Sequence, residues 1–83
     1  MSSSVEKSLS QVRTLVRTNE LKKAEQYLSR LVRSEDEHPN VFFELGNLYH
    51  LKGEIGRAIK SFKKTLDIDP SHTDASISLS VLL

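Results

Sequence analysis

Three histidines, His38, His50 and His72, are the side chains best suited to proton transfer or metal binding near neutral pH. They are far apart, with no ligand spacing to one another or to carboxylates on a shared helix face, so no metal site is expected. Glu35, Asp36 and Glu37 are adjacent and read as a solubilising loop rather than an acid/base pair. Lys60, Lys63 and Lys64, with Arg57 a turn earlier, form a basic patch. It lacks the aromatic interleaving and the length of a nucleic-acid track, so it reads as a solvated helix face. There is no glycine-rich phosphate loop, no nucleophile elbow and no paired catalytic carboxylate. No enzyme and no cofactor is expected.

Composition narrows the class further. The 83 residues make one small domain, near the size at which a single core needs outside support. No cysteine is present, which removes disulfide staples and thiolate ligands. Twelve Lys and Arg stand against eleven acidic residues, a net charge of +1. That balance is too even for bulk electrostatics to steer the chain to nucleic acid or an anionic membrane. No stretch has transmembrane length, and the Ser-rich start lacks the apolar core of a secretion signal. A soluble, by default cytoplasmic, protein without membrane insertion is the expectation.

The elements that must position any site are helices. Ser3 and Glu6 have capping-box spacing, so a helix should start near Ser4 and carry Val5, Leu9, Val12, Leu15 and Val16 on one stripe to about Thr18. Asn19 breaks the run as an N-cap and turn residue, and Leu21, Ala24, Leu28 and Leu31 mark a second helix ending near Arg33. Pro39 suits the first turn of a third. Phe42, Leu45 and Tyr49 share one face of it, and Ala58 and Phe62 share a face of a fourth. Gly46 leaves room for close approach, answered by the small Ala58, and Gly53 fits a left-handed C-terminal cap. Pro70 stops the fourth helix and pushes Asp69 towards extended geometry.

The run Phe42, Leu45, Gly46, Tyr49, Ala58, Phe62 and Pro70 has the spacing aromatic-x₂-Leu-Gly-x₂-Tyr, Ala-x₃-Phe, Pro, and resembles the tetratricopeptide repeat, with Phe42 where Trp is usual. The resemblance implies an all-α fold of antiparallel helix hairpins stacked as an α-solenoid. Shifting the sequence by the family period of about 34 residues sets Ala24 on Ala58, Leu28 on Phe62, Leu15 on Tyr49, Asn19 on Gly53 and Leu21 on Ile55. Ser8 against Phe42, Asp36 against Pro70 and Val12 against Gly46 are the weak matches. A degraded first copy suits a terminal repeat. Ser71 and Asp74 then suggest a capping box opening a fifth helix with Ala75, Ile77, Leu79, Val81, Leu82 and Leu83. The expected organisation is one tetratricopeptide domain over 1–83: a first repeat at 4–38, a full repeat at 39–72, and at 73–83 the first helix of a third repeat or a capping helix. Nothing follows to cover the fifth helix, so either the sequence belongs to a longer array, the favoured reading, or another chain covers it.

The family's concave face, lined by the first helix of each repeat, implies a groove for a partner segment. Carried over position by position, it comprises Leu9, Arg13, Arg17, Phe43, Asn47, His50 and Ile77. Phe42 and Phe43 diverge by about 100° on a helix, so both cannot enter one hairpin core, and Phe43 is the candidate for exposure. Packing between successive first helices is the alternative for Leu9 and Phe43. Asn47 could hold a peptide backbone, and Arg13 or Arg17 an acidic group. The carboxylate clamp of some relatives is not implied, since its positions read Leu9, Arg13, Glu44, Asp74 and Ser78, with one basic residue among them. The expected function is a non-catalytic scaffold for another protein or peptide segment. The alternative is a self-association module that forms a homo-oligomer through Leu79, Leu82 and Leu83 or through the groove.

Overall fold

A computed structural model describes residues 2–33 and 37–83, with side chains from residue 5 onward. Five helices follow in order: α1 (Ser2–Arg17), α2 (Leu21–Arg33), α3 (Pro39–Leu51), α4 (Ile55–Ile68) and α5 (Thr73–Leu82). They form two antiparallel hairpins, α1–α2 and α3–α4, with α5 packed on the second, and no strand occurs among the described residues. This is the all-α hairpin solenoid that the sequence implies. The helix start expected near Ser4 lies at Ser2, and the capping box at Ser3 falls on a side chain outside the described residues, as does the acidic loop at Glu35 and Asp36.

The two hairpin turns are built alike. After α1, the Asn19 amide donates to the Val16 carbonyl (3.0 Å) and the Glu20 amide to the Leu15 carbonyl (2.8 Å), with Asn19 at φ 64°. After α3, Gly53 donates to His50 (3.0 Å) and Glu54 to Tyr49 (2.8 Å), with Gly53 at φ 79°. Each is a Schellman closure with a left-handed residue just past the helix. Asn19 is therefore the C-terminal stop of α1 and not the N-cap of α2, a role open to Asn because its short polar side chain tolerates that geometry. Pro39 sits in the first turn of α3, and Asp69 is extended (φ −135°, ψ 91°) ahead of Pro70.

Two apolar clusters hold the hairpins. The first gathers Leu9 and Val12 of α1, Ala24 and Leu28 of α2, and Val41, Leu45 and Leu48 of α3. The second gathers Ala58 and Phe62 of α4 with Ala75 of α5, and Phe43, Leu66, Leu79 and Leu82 pack against it. Tyr49 packs against both. The adjacent phenylalanines part as helical geometry requires: Phe42 joins the first cluster and Phe43 the second. Ser61 and Thr65 are buried on α4, and each hydroxyl donates to the carbonyl one turn back, Arg57 or Ser61, at 3.0 Å. Those bonds satisfy the hydroxyls without a partner helix.

Close approach at Gly46 is answered by Phe62 rather than by Ala58. A Cβ built on Gly46 would lie 2.5 Å from Cε1 and 2.7 Å from Cδ1 of the Phe62 ring, which is fully buried. In the first hairpin the equivalent pair is Val12 and Leu28, both also fully buried. Volume moves from one partner to the other, a swap that cores tolerate. Gly46→Ala is expected to lower stability in urea denaturation, since overpacking of about 1–3 kcal/mol opposes a helix-propensity gain of about 1 kcal/mol. The loss should shrink in a Phe62→Leu background; equal losses in both backgrounds would mean that the ring is not what excludes the methyl group.

Candidate functional site

α1 packs on α3 and α5 packs on α4, and specific bonds tie both α1 and the start of α5 to α3. Arg13 Nε of α1 donates to Glu44 Oε2 of α3 at 2.8 Å. Beyond α3, His72 links to its start: His72 Nε2 donates to Asn40 Oδ1 at 2.8 Å, and its ring lies 4.9 Å from that of Phe43. The proton sits on Nε2 because Nδ1 accepts the Ala75 amide (3.1 Å), making His72 the N-cap of α5. His38 caps α3 in the same way, with Nδ1 accepting from the Asn40 amide at 3.3 Å. Both histidines are half-buried structural caps instead of free surface groups. Ser71, expected to cap α5, instead lends its amide (3.1 Å) and hydroxyl (2.7 Å) to Asp69 Oδ1.

With this frame the expected groove residues divide. Leu9 is fully buried in the first cluster, so it contributes no binding surface. Phe43 is half-buried, its ring 5.8 Å from that of Phe62, and is not the open residue that helical divergence suggested. Ile77, at the matching position of α5, is 58% exposed. The gradient follows the packing: Leu9 shares a cluster with Val41, Leu45 and Leu48 of α3, and Phe43 packs against the cluster that holds Ala75 of α5. Arg13 and Arg17 are exposed, Asn47 is partly covered and His50 is open. Of the self-association candidates, Leu79 and Leu82 turn into the second cluster, while Leu83 is 77% exposed. Val81, 73% exposed, and Leu51, 61% exposed, are further open apolar side chains on α5 and α3 and were not among the expected site residues. Val81 was legible as the copy of Arg13 and Asn47 two repeats on. Leu51 follows from its place beside His50 in the last turn of α3.

Charge is sorted between helices. The second helices α2 and α4 carry eight of the twelve Lys and Arg and only two acidic residues, Glu25 and Asp67. The first helices carry three, Lys7, Arg13 and Arg17, all on α1. Lys64 lies over the Phe42 ring and pairs with Glu37 (3.1 Å), and Arg57 lies over Tyr49 and pairs with Glu54 (3.5 Å), so half of the expected basic patch is tied to its own hairpin. Lys52, after α3, bonds Glu25 of α2 and Glu54. The bond from Glu25, then that from Glu54, raises the Lys52 pKa above its ordinary value. Two shallow depressions of about 650 and 470 Å³ lie elsewhere. Each is lined by a single helix, by Lys22 to Arg33 of α2 or Lys7 to Leu15 of α1, and reflects surface curvature rather than a built site.

Fold and site together define a helical-repeat module. Residues 39–72, spanning α3, α4 and the His72 junction, match the family model of the tetratricopeptide repeat. No curated protein matches the chain. The repeat is in general a protein–protein interaction scaffold and typically non-catalytic. Among the described residues no helix is long and apolar enough to cross a membrane.

The junction is open to a titration test. The Ser71 hydroxyl first, and then its amide, hold the Asp69 carboxyl below its ordinary value. A lowered carboxylate contributes stability above its unfolded pKa, about 3.9, and loses it as pH falls through the folded value. Ser71→Ala should raise the Asp69 titration midpoint followed by side-chain carbonyl NMR. An unchanged midpoint would show that the hydroxyl bond does not form in solution.

Proposed function

We propose that this chain is a non-catalytic interaction module whose groove, formed by α1, α3 and α5, binds an extended segment of another protein. The observation that carries this reading is the set of open side chains on the three first helices: Arg13 and Arg17 on α1, His50 and Leu51 beside the partly covered Asn47 on α3, and Ile77 and Val81 on α5. Isolated exposed apolar residues are ordinary; in this reading Leu51, Ile77 and Val81 act together, alongside polar groups able to hold a backbone. Leu9 is left out of the site and Phe43 acts as its floor. In this reading 4–38 is the first repeat, 39–72 the second, and 73–83 the opening helix of a third or a cap.

The test uses extended peptides selected from a displayed random library on the full chain and mapped by amide shift changes. Shifts at Asn47, His50 and Val81 are expected. Shifts confined to Lys22, Lys60 and Lys63 on the second helices would sink the groove.

A second reading is supported by α5 alone, where Ile77, Val81 and Leu83 are all exposed on a helix with no charge after Asp74. There α5 docks on a second copy. Phe43 and Leu82 pack inside, so a charge there would disturb folding, and Val81→Glu and Leu83→Glu are the informative variants. Under this reading light scattering gives a mass that rises with concentration and returns to the monomer in either variant. A constant monomer mass for the unmodified chain rejects it.

A further inference from the structure

The start of α5 hangs on one imidazole. His72 Nδ1 accepts the Ala75 amide at 3.1 Å, Nε2 donates to Asn40 Oδ1 of α3 at 2.8 Å, and the ring lies 4.9 Å from that of Phe43. The amide held in this way belongs to the residue that plugs the second cluster, since the Ala75 side chain is fully buried there with Ala58 and Phe62. Little else secures this end: α5 packs chiefly on α4, and the next amide bond, from Ser76 to the His72 carbonyl, is 3.2 Å long. His38 makes the same kind of bond at the start of α3, at 3.3 Å, but α3 packs against α1, α2 and α4 and is secured without it.

A neutral imidazole nitrogen can accept a hydrogen bond and a protonated one cannot, and histidine changes charge between about pH 5 and 8. We propose that His72 is an acid-operated release for α5: neutral, it caps the helix; protonated on Nδ1, it stays on α3 and lets the first turn of α5 come away, uncovering the place in the second cluster that Ala75 fills. The neighbours let the ring take the proton where it is. Asp69, in the turn before α5, lies close enough to interact with its charge, Asp74 stands in the first turn of α5, and the Phe43 ring is beside it. The other charged groups about the junction are engaged elsewhere, Glu37 with Lys64 of α4 and Glu44 of α3 with Arg13. Lys60, Lys63 and Asp67 of α4 are exposed, and none of them bonds the imidazole. Because the ring stays on α3 in both forms, these neighbours act alike on each, and the cap decides the direction. The capped form cannot bind the proton and the released form can, so the released fraction rises as pH falls. This goes beyond the groove reading and does not depend on it.

The test is NMR on the full chain, isotope-labelled in backbone and imidazole, from about pH 7.5 down to about pH 5. At the upper end the His72 ring should show a bare Nδ1 and a protonated Nε2. As the ring titrates, the exchange protection of the Ser76 to Leu79 amides, corrected for intrinsic rates, should fall about five- to tenfold relative to that of α2, the scale of a lost N-cap. His72→Asn supplies a capping oxygen that takes no proton and should hold α5 protection level across the range, while His38→Asn should leave the response intact. The proposal is overturned if the ring titrates without loss of protection at α5, if His72 stays neutral throughout, if Nδ1 already carries the proton at the upper end, or if His72→Asn keeps the parent's response. The ring signals and the parent's exchange decide the matter even where the variant fails to fold.

Discussion

A ring pressed against a bare backbone governs the second half of the molecule. Phe62 lies so close to Gly46 that no side chain fits between them, and this lets α3 and α4 meet along their length. Much else depends on that contact. With Phe62 seated, Phe43 has an aromatic neighbour at 5.8 Å, His72 stacks on Phe43 in turn, and α5 is placed by the capping bond that the same histidine accepts. A sequence of contacts thus runs from one glycine to the start of the last helix. Dispersion and apolar burial supply its first steps and hydrogen bonds its last.

The first hairpin reaches the same architecture with different volumes. Val12 and Leu28 stand where Gly46 and Phe62 stand later, and Asn19 takes the left-handed position of Gly53. What repeats is the hydrogen-bonded closure of each hairpin turn and the histidine that caps the helix after each hairpin. The backbone solution is constant while the side chains filling it trade size, which is why the first copy looks degraded as a motif without being degraded as a hairpin.

Helix identity and the hairpin order were legible because periodicity and the two left-handed stops are local signals. Who faces Gly46 was not. Ala58 and Phe62 lie on one stripe of α4, four residues apart, and only the reach of the ring selects between them. Nor was the exposure of the fifth position in each repeat. Leu9, Phe43 and Ile77 are all apolar, yet their burial falls along the chain with the cluster each one reaches, a property of the stack and not of the residue. Histidine caps escaped notice for a related reason: the strong N-cap residues are Ser, Thr, Asp and Asn, and Ser71 beside His72 offered the more familiar choice.

Tyr49 packs against both apolar clusters, and α3 carries residues of each. The helices are not tied equally, since α5 packs chiefly on α4 alone, and such a structure need not open all at once. Cooperative units separate where few contacts cross between them, and each then has its own opening free energy. The unit containing α5, with its short helix and broad exposed flank, is the one that can loosen while α1 and α2 stay closed. The surface offered to a partner is then partly a matter of how often that unit is ordered, and a ligand that bridges α1 and α5 would tie the two units into one cooperative body.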